Sequence, residues 1–343
     1  MKHIQLTPIQ IFPAIIGTLS LGLSFFVISQ VFNINIFYRL GEIIFFLVLI
    51  IYLFNIILSL LFYSKKRNRN LRLFSNPGSL SLMSFAGVIY YALVFFYYTY
   101  IGLNQFSINI ISWLFFAVWT FVFIINVRLN YLIYNGKIKI DDVTYLLNIP
   151  SIVMGGGIIM TSVLIPSGLF PDGSQILFYL YFATVVGFGI SLIQFFLVSS
   201  ASLTSHFINN QKEGKKGTTM IPLGAASIIV FNLLLLPSFN KLGIFIFPNR
   251  IFFDLAMLFW SFEVLILITG AFTVINSRYE EHDITVWAYV FPVGISIFSD
   301  FLLYLETNDI IFKIDIVLSS ILLFFLYCFS LYQSFLKNNS VRG

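Results

Sequence analysis

Long apolar stretches alternate with short polar ones along this chain. Ile43–Phe62, Ile110–Val127 and Ile316–Phe335 contain no Asp, Glu, Lys or Arg. An uncharged run of about 18–20 residues is long enough to cross the hydrocarbon core of a bilayer as a helix. The pattern predicts ten spans, at residues 8–32, 41–63, 76–100, 107–127, 147–167, 175–200, 219–237, 251–275, 284–306 and 310–336. The first is read as a span and not as a cleavable signal. It carries Pro8 and Pro13, runs to Phe32 and lacks a clear small-residue cleavage site.

Proline divides these spans into a repeat. Pro13, Pro77, Pro150, Pro222 and Pro292 recur at intervals of 64, 73, 72 and 70 residues. Each lies in or just before an apolar stretch, and the stretch that follows has no interior proline. Five helical hairpins are expected, one proline-marked and one plain helix in each. Proline removes a backbone N–H and kinks a helix. In lipid the freed carbonyl must be satisfied by protein or by water in a cavity. The proline-bearing helices are therefore expected inside, around a pathway, with the plain helices outside. The fold class is all-α integral membrane, a single ten-helix domain over residues 1–343.

Composition agrees. Charged residues make up 10% of the chain and hydrophobic residues 59%, whereas soluble domains carry about 25% charged residues. The longest polar connections, Ser64–Asn76, Arg128–Leu146 and Thr204–Thr218, are too short to bury cores of their own. Cys328 is the sole cysteine, so no intrachain disulfide or cysteine metal cluster can form. No histidine has metal-ligand spacing to another, and no cofactor or metal is expected. The basic balance speaks to orientation and not to nucleic acid. Lys2, Lys65, Lys66, Arg67, Arg69, Arg72, Arg128, Lys137, Lys139, Lys212, Lys215, Lys216, Arg278, Lys337 and Arg342 fall on one side. Only Arg39, Lys241, Arg250 and Lys313 fall on the other. The positive-inside rule then puts both termini in the cytoplasm.

The sharpest local motif is Trp287-Ala288-Tyr289-Val290-Phe291-Pro292-Val293-Gly294. Phe291, beside a proline, can point its ring into a central pathway. Equally, in a chain with 42 Phe, a Phe beside a given proline is nearly expected. Three further strings bear on this. They are Phe12-Pro13 followed by Gly17-Thr18-Leu19-Ser20-Leu21-Gly22, the Pro222-Leu223-Gly224-Ala225 segment, and Arg72-x-Phe74-x-Asn76-Pro77. Together with the ten spans, these resemble the tellurite-resistance/dicarboxylate transporter family. That family includes plant slow-type anion channels, bacterial tellurite-resistance proteins, and fungal malate permeases and sulfite pumps. Here Val286 replaces one Trp of the family's ninth-helix pair, and Leu19 stands where the family often has Gly. The resemblance implies a pore of five inner helices, subunits assembled as homotrimers in the plasma membrane, and a ninth-helix Phe that occludes the pore. The matching residue is Phe291. It also implies small-anion cargo: chloride, nitrate, sulfite or a four-carbon dicarboxylate such as malate.

Pro13, Gly17, Thr18, Pro77, Pro150, Gly155, Gly156, Pro222, Gly224, Pro292 and Gly294 are the candidate pore-lining or kink positions. Gly155-Gly156-Gly157 either thins the pore wall or permits close helix packing. Glu263 and Asp300 lie within spans, where a charge costs about 2.5–3.5 kcal/mol on insertion scales. Either could couple anion movement to protons, or simply make a polar contact between helices. The leading reading is a small-anion pathway with no catalysis. The alternatives are a proton-coupled dicarboxylate transporter and a membrane enzyme acting on lipid. The enzyme would need paired carboxylates, a His cluster or a nucleophile with a base at membrane depth, and the sequence offers none.

The charge asymmetry predicts that cysteines introduced near positions 3 and 340 resist an impermeant thiol reagent in intact cells. Labelling of either from outside would overturn the orientation.

Overall fold

The computed structural model describes residues 8–65, 76–138, 145–170, 174–209, 219–276 and 284–340. Most of the basic residues used for orientation lie outside these ranges. So do His3, Arg72, Phe74, Asp141, Asp142, Glu280, Glu281, His282 and Asp283.

Among the described residues, ten helical segments are long and apolar enough to cross a membrane: Pro8–Phe32, Asn35–Phe62, Pro77–Tyr100, Gln105–Tyr134, Tyr145–Ser167, Gln175–Ser202, Ile221–Asn240, Asn249–Thr273, Trp287–Thr307 and Ile310–Ser334. Number and order match the hydropathy reading. The borders move where a charge is matched within its own helix. The second span starts at Asn35 because Arg39 pairs with Glu42 one turn on, at 2.7 Å. The fourth runs past Arg128, whose guanidinium lies over the Tyr131 ring, 5.4 Å from its centroid.

The five repeated prolines each stand in the first turn of an α-helical segment. Pro13, Pro150 and Pro222 occupy the second helical position, Pro77 the first and Pro292 the third. The first four N–H groups of a helix have no intrahelical partner, so a first-turn proline gives up no ladder bond. A 3-10 turn leads into the first, fifth and ninth spans, at Pro8–Ile11, Tyr145–Asn148 and Ile284–Tyr289. At Pro77 the preceding Asn76 caps the helix, its side-chain oxygen accepting from the Gly78 and Ser79 N–H groups.

The ladder is interrupted elsewhere, at Ser84 in the third span and Gly156 in the fifth. Beyond Gly156, Ile159 N–H donates to the Gly156 carbonyl at 3.0 Å. The Gly155 carbonyl instead accepts from Asn232 Nδ2 of the seventh span, also at 3.0 Å. A buried asparagine thus satisfies a carbonyl at a helix break, which hydrocarbon would leave bare.

A second repeat appears at the opposite ends of the same helices. Each odd-numbered span is followed by a residue in the left-handed conformation: Asn33, Gly102, Gly168, Gly243 and Asn308, with φ between 54° and 89°. Glycine, and asparagine to a lesser degree, enter this region at low cost and end helices there. The first-to-second and ninth-to-tenth turns are correspondingly short, with Asn35 and Ile310 already helical.

Burial alternates with span number. In the most apolar stretch of each span, 61–83% of residues are buried in the odd-numbered spans and 11–39% in the even-numbered ones. Contacts run from the first span to the third, fifth, seventh and ninth in turn, and from the ninth back to the first. Lipid tails are as apolar as Leu, so close packing rather than hydrophobic drive holds such helices together. Glycines mark the closest approaches. A Cβ on Gly187 would collide with the Met154 carbonyl, and one on Gly155 would lie 2.8 Å from Ser191 Cβ. The fifth and sixth spans therefore meet backbone to backbone.

Gly187→Ala should lower stability by about 1–3 kcal/mol through overpacking against backbone that cannot yield. Gly189→Ala, with nothing within 4 Å of its added carbon, should be neutral or stabilising by up to about 1 kcal/mol. Thermal unfolding of the two purified variants checks the pair, and equal behaviour would refute this packing.

Candidate functional site

Two small cavities lie on the axis of the odd-numbered spans. The larger, about 30 Å³, is lined by Ile16, Leu19, Ser20 and Leu23 of the first span, Val88, Ala92, Phe95 and Phe96 of the third, Ile159 of the fifth, and Phe291, Ile295 and Phe298 of the ninth. The smaller, about 10 Å³, is lined by Phe85, Ile149, Ile152, Val153, Ile221, Ala288, Phe291 and Pro292. No even-numbered span contributes to either lining. The one residue common to both is Phe291.

Phe291 is held by its backbone and by one neighbouring ring. It stands in the first turn of its helix, directly before Pro292. Its ring meets Phe85 edge to face, centroids 5.8 Å apart and planes at 84°. Pro292 packs on the seventh span where Gly224 leaves room; a Cβ there would lie 3.4 Å from the proline Cα and Cβ. Gly294 does the same toward Ser20 of the first span. Gly17 admits the Trp287 indole, which a Cβ would approach to 2.8 Å. These three glycines let the first and seventh spans close on the ninth on either side of Phe291.

The other candidates have different surroundings. Thr18 faces the tenth span, its hydroxyl 3.2 Å from that of Tyr327. Gly155 packs on Ser191, and Gly156 is the break in the fifth span. Pro222 borders an apolar groove between the sixth and eighth spans. Of the candidate pore-lining or kink positions, only Pro292 lines either axial cavity. Pore-lining and packing glycines look alike in a sequence, because both functions ask for a missing side chain. Phe85, Phe95 and Phe298 went unmarked among 42 phenylalanines, with no motif to separate them.

Residues 7–335 match the voltage-dependent anion channel family, which is nearly the whole chain. The chain belongs to that family. The resemblance carried by Trp287–Gly294 and the ten spans is borne out. Comparison with curated proteins returns no match. Membership makes this a membrane protein of anion transport, in a family of channels and transporters rather than enzymes.

Against that background the buried acids are notable for where they lie. Glu263 of the eighth span is only 2% exposed. Its Oε2 lies 2.8 Å from the Ser227 hydroxyl and 2.7 Å from that of Ser299. Its other oxygen is buried without a partner. Asp300, also 2% exposed, accepts from the Trp260 indole N–H at 2.8 Å. Asp315 of the tenth span, an acid that the sequence reading passed over, lies beside them and is 3.3 Å from Ser319 Oγ. These groups tie the seventh, eighth, ninth and tenth spans together. None lines an axial cavity. Among the described residues no group of three or more His, Cys, Asp and Glu could hold a metal ion.

Asp300→Asn keeps an oxygen for the Trp260 N–H and should leave thermal stability nearly unchanged. Asp300→Leu removes the contact to the Trp260 N–H and takes a partner from Asp315 as well, and should cost about 1–3 kcal/mol. Equal stability of the two variants, measured by thermal unfolding in detergent, would show that the contact carries no weight.

Proposed function

We propose that this protein conducts small anions through a pathway enclosed by its five odd-numbered spans and closed by Phe291. The observation that carries the reading is the position of that ring. It is the one side chain shared by two cavities stacked along an axis to which only odd-numbered spans contribute. Cavities of about 30 and 10 Å³ have room for about one or two water molecules. An anion passes only when the ring turns aside.

Electrostatics favours an anion without any cation in the pore. Spans joined in series run alternately, so the five odd helices begin at the same face. Each helix N-terminus carries roughly half a positive charge from its aligned peptide dipoles. None of the five has an acidic residue in its first turn to cancel it. By the charge asymmetry of the connections, this face and both termini are cytoplasmic. The cargo is chloride, nitrate, sulfite or a dicarboxylate such as malate, and the assembly is a homotrimer in the plasma membrane. The competing reading, proton-coupled dicarboxylate transport, has carboxyls available in Glu263 and Asp300. Their position beside the axis rather than on it favours passive conduction. Flux that follows the anion gradient alone, with no proton movement, distinguishes the two in liposomes.

Phe291→Ala should raise anion flux per folded molecule in liposomes, because the ring occupies the constriction rather than a closed core. If the ring served packing alone, its loss would cost about 3–5 kcal/mol of stability and leave flux unchanged. Flux normalised to folded protein is the measurement, and an unchanged or lower value counts against the gate.

A further inference from the structure

The larger cavity has two ends, and Phe291 closes only one. Three of the four spans that line it run its length in register. The first contributes Ile16 to Leu23, the third Val88 to Phe96 and the ninth Phe291 to Phe298. Seven or eight residues of each amount to about 10–12 Å of helix rise. At the far end stands a cluster of edge-on rings from four different odd-numbered spans. Phe298 meets Phe95 and Phe231, each with centroids 5.2 Å apart and planes at 72° and 85°. Phe26 meets Phe95 at 5.7 Å and Phe301 at 6.2 Å, both edge to face. Phe231 is fully buried and Phe298 5% exposed. A cluster built from the first, third, seventh and ninth spans bridges the axis. A ring cluster confined to one helix interface would not. Its rings meet edge to face with centroids 5.2–6.2 Å apart, and an apolar constriction of this kind bars a bare anion.

We propose that Phe298, packed with Phe95 and Phe231, forms a second seal in series with Phe291, so that the cavity between them is an occluded chamber. The inference rests on the pathway proposed above and adds a second barrier to it. Flux through barriers in series is limited by the highest one left standing. Turning Phe291 aside therefore admits an anion only as far as Ser20. Full passage requires the ring cluster to part as well, which ties conduction to a movement of the ninth span against the third and seventh.

The test is a double-mutant cycle on chloride efflux from liposomes, per folded molecule, with Phe291→Ala, Phe298→Ala and both together. Series barriers of similar height predict that each single variant rises by about two-fold, while the double rises by about tenfold or more. The double should exceed the product of the singles. A double no larger than that product overturns the second seal. A large rise from Phe291→Ala alone, with none from Phe298→Ala, overturns it and leaves the single gate standing. A double no faster than wild type removes the pathway itself. Because Phe298→Ala could weaken folding, Phe298→Leu and a thiol probe give independent readings. With Cys328→Ala as background, Ser20→Cys marks the chamber. A negatively charged methanethiosulfonate should reach it from the helix N-terminal face only when Phe291 is Ala. It should reach it from the opposite face only when Phe298 is Ala or Leu. Modification from both faces in Phe291→Ala refutes the second seal, and modification from neither face in any variant removes the chamber from the pathway.

Discussion

Hydrocarbon offers no partner to a backbone N–H or carbonyl, and this constraint shapes every element of the chain. It admits only helices across the bilayer and decides how they begin, break and end. Proline is placed in the first α-helical turn of all five odd-numbered spans, where a ladder N–H is least missed. Where the fifth span breaks at Gly156, Asn232 of the seventh supplies the missing donor to the Gly155 carbonyl. At the other end of each odd span a left-handed Asn or Gly turns the chain. The same chemistry recurs five times because the same physical problem does.

The helices are then held by proximity. With lipid on one side and apolar side chains on the other, burial gives little preference for helix over lipid, and dispersion at short range decides. Gly17, Gly224 and Gly294 let the first and seventh spans approach the ninth around Phe291. The ring consequently sits on rigid backbone, pinned by Pro292 behind and Phe85 in front. A ring on a loop would average over many positions; one in the first turn of a packed helix has a defined place, which is what the proposed gate requires.

The buried carboxyl groups line neither axial cavity. Glu263, Asp300 and Asp315 bind the seventh to tenth spans together through Ser227, Ser299 and Trp260, in contacts that hydrocarbon makes costly to lose. A carboxyl on the axis would repel an anion. Beside it, the same groups fix the orientation of the ninth helix, which carries Phe291, Phe298 and most of the polar contacts just named. Structure and conduction thus make different demands on different faces of one helix.

Hydropathy alone specified ten spans in their order, because the bilayer imposes a length that no other fold would need. Proline spacing alone marked which five spans are special, because a first-turn proline is tolerated where an interior one is not. The motif around Phe291, with three further strings and the ten spans, pointed to the family. What proline does there was not legible: the same residue signals a kink or a helix start, and only the hydrogen-bond ladder distinguishes them. Nor did the sequence separate Phe85, Phe95, Phe231 and Phe298 from the other phenylalanines, or show that Asp315 stands beside Asp300. Those relations join residues far apart in the chain, on helices whose rotation about their own axes is set by close packing. Composition places a helix in the membrane, but only contact with its neighbours decides which of its side chains face the axis.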